Sequence, residues 1–190
     1  MNIMGVPPAE YLSLPIRAHS LLQGVPLYDV SSIDLPGGGD GRTVGDIRAL
    51  RSAASRSAIS MGLFGLRHFI GKLFGWDRKR LRPEDSYASR LSERERSESE
   101  VTPGTPDGAF LIVYQYPNEM LSETQNATVH GFIGITLTRE GTGYRLYMAI
   151  YVIPTSWITR PYLLAIEPFR RILYPSLLKR IRRAWVTAYR

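Results

Sequence analysis

The sequence predicts an α+β fold in which a curved antiparallel sheet grips one long C-terminal helix, and three observations predict it. Between residues 109 and 153 apolar side chains recur at every second position, the period of half-buried strands. From Ser156 to Arg190 the period becomes helical, and Tyr162, Ile166, Phe169, Leu173, Leu177 and Ile181 are placed on one face. The order of strand, helices, charged loop, strands and long helix segregates strands from the terminal helix, as α+β folds do.

Composition bounds the rest. At 190 residues the chain can bury one substantial core. It has no cysteine, which removes disulfides and thiolate metal sites. Its three histidines, His19, His68 and His130, are too scattered for a metal site, so no metal and no cofactor is expected. No apolar run reaches the roughly 18–20 residues of a membrane span, and the N-terminus lacks the basic-then-apolar order of a signal peptide. A cytoplasmic protein is expected, with peripheral membrane association as an extension of that reading. Residues 154–190 hold eight Lys/Arg against one Glu, so this stretch alone carries the formal charge of +7. Such charge suits an anionic membrane surface or nucleic acid, and equally a solvated helix face.

Residues 1–26, with Pro7, Pro8, Pro15 and Pro26, read as an extended lead-in, and residues 27–190 as a single domain. Leu27–Leu35 reads as the first strand, closed by the turn cluster Pro36-Gly-Gly-Gly-Asp-Gly41, which lacks the spacing of a phosphate-binding loop. Thr43 and Asp46 resemble a capping box ahead of a helix bearing Val44, Ile47, Leu50, Ala54 and Ala58. The apolar, aromatic stretch 58–76 offers Phe64, Arg67, Phe69, Lys72, Phe74 and Trp76 as membrane contacts. The competing reading is a pair of short helices whose glycines pack closely on the sheet. Residues 77–108 are charged and Ser/Pro-rich and read as a mobile loop, or as a short exposed helix held by Glu/Arg pairs.

Ala109–Tyr116 is a buried strand, and Met120–Glu123 is a short strand or a turn. Residues 126–138 place Val129, Gly131, Ile133, Ile135 and Leu137 on one face. After a hairpin turn at 140–143, Tyr144, Leu146, Met148, Ile150 and Val152 share a face. His130, Tyr147 and Tyr151 fall opposite these rows, on a face expected to be outer and mixed. Glu123 could serve His130 as a carboxylate partner, but that outward position leaves no catalytic residue assigned. The inward residues Ile133, Ile135, Leu146, Met148 and Ile150, with Ile112 or Tyr114, are the expected lining of a ligand pocket, closed by Tyr162 and Phe169 from the helix. Arg160 and Glu167 flank two proline positions, as a headgroup anchor or as ordinary surface charges. Lys179, Arg180, Arg182 and Arg183, with Trp185 and Tyr189, suit lipid head groups. No recognition-helix motif accompanies them, which disfavours nucleic acid. Asn126-Ala-Thr128 matches a glycosylation sequon only by pattern.

The block 121–185 resembles the bacterial DUF2867 family, a domain of unknown function. The resemblance rests on TVHGFIGITLT, GYRLYMAIYVIP, WITRPYLLAIEPFRR and YPSLLKRIRRAW, and more loosely on Tyr28-Asp29 and LFGLRHFIGKLFGW. Where the family has a Pro-Phe-His step, this chain has Pro168-Phe169-Arg170. The family looks like a member of the START-like (SRPBCC) helix-grip superfamily, which implies a cavity between sheet and helix for a hydrophobic small molecule or lipid. It does not imply a reaction. Two alternatives stay open: an enzyme of the cyclase/dehydratase kind acting on an apolar substrate, and a partner-binding module using the basic C-terminal helix.

Overall fold

A computed structural model describes residues 4–54, 85–125, 129–155 and 159–189. Its frame is one antiparallel sheet of seven strands: β1 (Met4–Gly5), β2 (Leu27–Leu35), β3 (Pro106–Asp107), β4 (Phe110–Gln115), β5 (Glu119–Gln125), β6 (Val129–Glu140) and β7 (Gly143–Pro154). The spatial order is β1-β2-β7-β6-β5-β4-β3. The twelve-residue strands β6 and β7 form its spine, paired without interruption from Val129↔Pro154 to Glu140↔Gly143. Each places alternate side chains on opposite faces.

One face carries the rows the sequence assigns to the interior. Val129, Ile135, Leu137, Tyr144, Leu146, Met148, Ile150 and Val152 all belong to a single apolar cluster. Among the described residues two helices cover it: α3 (Val44–Ala54) through Val44 and Ile47, and the 30-residue α5 (Thr159–Ala188) through Leu178, Ile181 and Trp185. The start of α3 follows the capping expectation. The Asp46 carboxylate accepts from the Thr43 N–H at 3.0 Å, and Thr43 Oγ1 accepts from the Gly45 N–H at 3.2 Å. A sheet with a long C-terminal helix held on one face is a helix-grip-like α+β arrangement.

The opposite face corrects the expectation of an outer surface. Tyr147 and Tyr151 are each 3 % exposed and His130 is 6 % exposed. The covering comes from segments whose composition argued against a core. Residues within 1–26 form α1 (Pro8–Leu12) and α2 (Arg17–Leu21), and Tyr11, Ile16, Ala18 and Leu22 are buried against Tyr114, Leu121, Phe132 and Ala149. The prolines do not prevent this: Pro8 occupies the first turn of α1, where its missing N–H costs nothing. Within 77–108, a 3₁₀ turn (Tyr87–Arg90) buries Tyr87 and Ala88, so the described part is not a free loop. It leads into α4 (Glu93–Glu98), with a complete Ser92–Glu95 capping box and an Arg94–Glu98 pair at 2.7 Å. This is the short Glu/Arg helix of the alternative reading.

Two buried carboxylates fasten these covers to the sheet. Glu119 accepts from the backbone N–H groups of Arg17 (2.6 Å) and Ala18 (3.3 Å) at the start of α2, and from the Tyr114 hydroxyl at 2.9 Å. Glu123, fully buried, accepts from His130 Nε2 at 2.8 Å, from the Tyr87 N–H at 3.1 Å and from the Ser86 hydroxyl. A buried carboxylate is tolerable when several donors share its charge. Tyr147 adds a third tie, donating to Glu10 of α1 at 3.0 Å.

Candidate functional site

The α5 face of the sheet is built from cross-strand rows, because paired residues of antiparallel strands share a face. One row runs Ile112–Ser122–Ile133–Ile150–Asp29 across β4, β5, β6, β7 and β2. Beside it lies Met120–Ile135–Met148–Ser31. Of the expected pocket residues, Ile112, Ile133, Ile135, Leu146, Met148 and Ile150 are therefore brought to one face. Tyr114 is not. A bulge between Ile112 and Tyr114 inserts Val113 as an extra residue, so Tyr114 pairs with Leu121 and turns to the opposite face. There its phenol is pushed well above its ordinary range by burial and by Glu119, and it acts as a neutral donor.

Burial on this face varies along the strands. At one end Leu35 (1 %), Leu146 (0 %) and Met148 (2 %) lie beneath Leu178 (0 %), Ile181 (1 %) and Trp185 (0 %). Toward the start of α5, Val129, Ile150 and Val152 are each 7 % exposed and Ile133 is only partly buried, as are Leu163, Tyr174 and Leu177 on the helix. Ile133 is thus the partly buried strand residue of this cluster, while at the other end Tyr144 beside Trp185 is itself 7 % exposed and Val186 and Tyr189 are partly buried.

Trp185 anchors this other end. Its indole N–H donates to the Pro36 carbonyl at 3.1 Å, and its ring meets Tyr144 and Tyr189 edge-on at 5.5 and 4.8 Å. This overturns its sequence reading as a head-group contact. It also sets the rotation of α5. Leu177 and Ile181 face the sheet as expected, but the sheet-facing stripe takes in the partly buried Leu163 and Tyr174 and the buried Leu178 and Trp185 rather than Leu173. Leu164 and Ile172 are left 73 % and 67 % exposed. The side chains of Arg160, Tyr162, Phe169 and Arg170 lie outside the described residues, as do the expected membrane contacts Phe64, Arg67, Phe69, Lys72, Phe74 and Trp76. Glu167 pairs with Arg171 at 3.0 Å on the helix surface.

Sequence reasoning missed two buried polar side chains on this face, Gln115 and Ser122. Ser122 is 2 % exposed, and its hydroxyl is buried without a hydrogen-bond partner. The alternation Met120-x-Ser122-x-Thr124 was its available signal, but only the register of β5 fixes which face it occupies. His130 is on the other face, locked to Glu123. The Ser86 hydroxyl bonds the carboxylate rather than the imidazole, so these three side chains are not arranged as a nucleophile with its base. Among the described residues no group of three or more His, Cys, Asp or Glu is placed to hold a metal ion, and no described helix is long and apolar enough to cross a membrane.

Fold and face together define a single-sheet α+β domain whose apolar face packs against a long helix. The chain belongs to the family described as protein of unknown function (DUF2867), which it matches over residues 21–177. No curated protein and no solved structure matches it.

Proposed function

We propose that the domain binds a hydrophobic small molecule or lipid between the β5–β6–β7 face and the N-terminal half of α5, within a START-like scaffold. The observation that carries this reading is a continuous aliphatic row, Ile112, Ile133 and Ile150, in which Ile133 is only partly buried and opposite which the described α5 side chains Leu163, Tyr174 and Leu177 are also only partly buried. A ligand seated there would gain affinity from apolar burial, at about 25 cal/mol per Å² removed from water. The enzyme alternative loses its histidine, because His130 is committed to Glu123 on the opposite face. The test is uptake of a neutral apolar fluorophore, N-phenyl-1-naphthylamine, by wild type and by Ile150→Trp. The reading expects saturable uptake by wild type and a drop of at least about tenfold in affinity on filling the space. Uptake no greater than that of an unrelated folded protein contradicts it.

A membrane surface is the proposed source of the ligand. Leu164 and Ile172 stand exposed on α5, whose later turns carry Lys179, Arg180, Arg182 and Arg183. Apolar side chains that insert and cations that meet anionic head groups are the two contributions interfacial helices combine.

A further inference from the structure

We infer that the ligand is a neutral apolar molecule carrying a hydroxyl or carbonyl group, and that Ser122 is the residue that recognises that group. This rests on the proposed apolar site. Ser122 is the polar break in an otherwise aliphatic run: Ile112 precedes it across the sheet and Ile133 and Ile150 follow. A serine hydroxyl has one proton to give and two lone pairs. Buried with none of them used, it forgoes water without compensation, which is unfavourable unless a partner arrives. Every other buried hydrogen-bonding group described on the sheet's two fastening points, Glu119, Glu123, Ser86 and Tyr114, has its partner within the chain. Two described side-chain atoms on the α5 face are orphans: Gln115 Oε1, whose amide nitrogen donates to Glu100, and Ser122 Oγ, the one that lies in the row of the partly open Ile133.

The charge of the ligand follows from the row itself. A charged group set among Ile112, Ile133 and Ile150 would lose its hydration with little to replace it. An uncharged apolar body with its hydrogen-bonding group at Ser122 avoids that cost. Since Ser122 can donate or accept, it serves an alcohol, a ketone or an ester equally, and it discriminates these from a pure hydrocarbon. A site that hydrogen-bonds a ligand group rejects the analogue lacking it.

The experiment uses the full chain with N-phenyl-1-naphthylamine as reporter and decan-1-ol and decane as competitors, in wild type and Ser122→Ala. Removing an unpartnered hydroxyl leaves nothing unsatisfied, so Ser122→Ala is expected to fold with an unchanged or higher unfolding midpoint. The inference expects Ser122→Ala to weaken decan-1-ol about fivefold while decane is unchanged, the worth of one ordinary hydrogen bond. Equal effects on the two competitors, or no effect on either, overturn the role of Ser122 while leaving the apolar site standing. Failure of wild type to take up the reporter removes the site itself, and the inference with it.

Discussion

The ring of Trp185 occupies the space where Gly38 would carry a side chain: a Cβ built on Gly38 lies 2.5 Å from Trp185 Cζ2. Gly38 also has φ +96°, a conformation that residues with a Cβ rarely adopt. The glycine-rich turn 36–41 is therefore a socket for the end of α5. Pro36 accepts from the Trp185 indole, Gly38 accepts from Arg42 Nε at 2.7 Å, and Gly39 accepts from the Tyr144 hydroxyl at 2.9 Å. Arg42 in turn lies 3.8 Å over the Tyr189 ring.

Gly38→Ala combines a backbone penalty with a clash against a fully buried ring, and should destabilise by roughly 2–4 kcal/mol. Gly39 has φ +68° but nothing within 4 Å of its built Cβ, so Gly39→Ala isolates the backbone term at about 1 kcal/mol. Urea unfolding of the two variants gives both values. Equal losses would mean that the socket does not depend on close approach.

Trp185→Ala removes the largest buried side chain of the α5 face together with the indole bond to Pro36. The expected cost is about 3–5 kcal/mol. Trp185→Phe keeps most of the apolar contact and should cost less, leaving the Pro36 carbonyl without its donor. A loss under about 1 kcal/mol for the alanine variant would show that α5 is held elsewhere.

Glu123→Gln should destabilise by about 2–3 kcal/mol, because the amide presents a donor where Ser86, Tyr87 and His130 all donate. Limited proteolysis should cut sooner between residues 85 and 92, since that stretch loses its anchor on β5. Unchanged cleavage there would refute the fastening role.

Tyr147 supplies the pH prediction. Its phenol is pushed up to about 12, chiefly by burial and then by its hydrogen bond to Glu10. A phenol raised in the folded state stabilises fully below its unfolded value near 10. That contribution is lost as pH climbs through about 12. Between these limits wild type should lose stability that Tyr147→Phe does not lose. Parallel pH dependence of the two proteins would contradict the coupling.

How much of this was legible in the sequence depended on whether local periodicity was enough. The alternation of 129–137 and 144–152 placed every one of Val129, Ile135, Leu146, Met148 and Ile150 on the correct face, and Leu27–Leu35 matched its strand. Such patterns need no distant partner to be read. Tyr114 could not be placed, because the bulge at Val113 depends on pairing with β5. The second core was hidden for a different reason. Tyr11 and Tyr87 sit in polar or proline-rich surroundings, and their burial depends on carboxylates at 119 and 123 that lie far away in the chain. Ser122 joined the candidate site only through register. Trp185 looked like a tail residue until Gly38, 147 positions earlier, supplied the space for it.

Isoleucine methyl NMR on titration with N-phenyl-1-naphthylamine tests the binding face most directly. Ile112, Ile133 and Ile150 lie on the proposed row, whereas Ile16 caps α2 in the opposite cluster and Ile47 belongs to α3. Saturable shifts at Ile133 and Ile150, with Ile16 and Ile47 unmoved, are the predicted result. Shifts confined to Ile16, or no saturable shift at any isoleucine, would contradict ligand binding under α5.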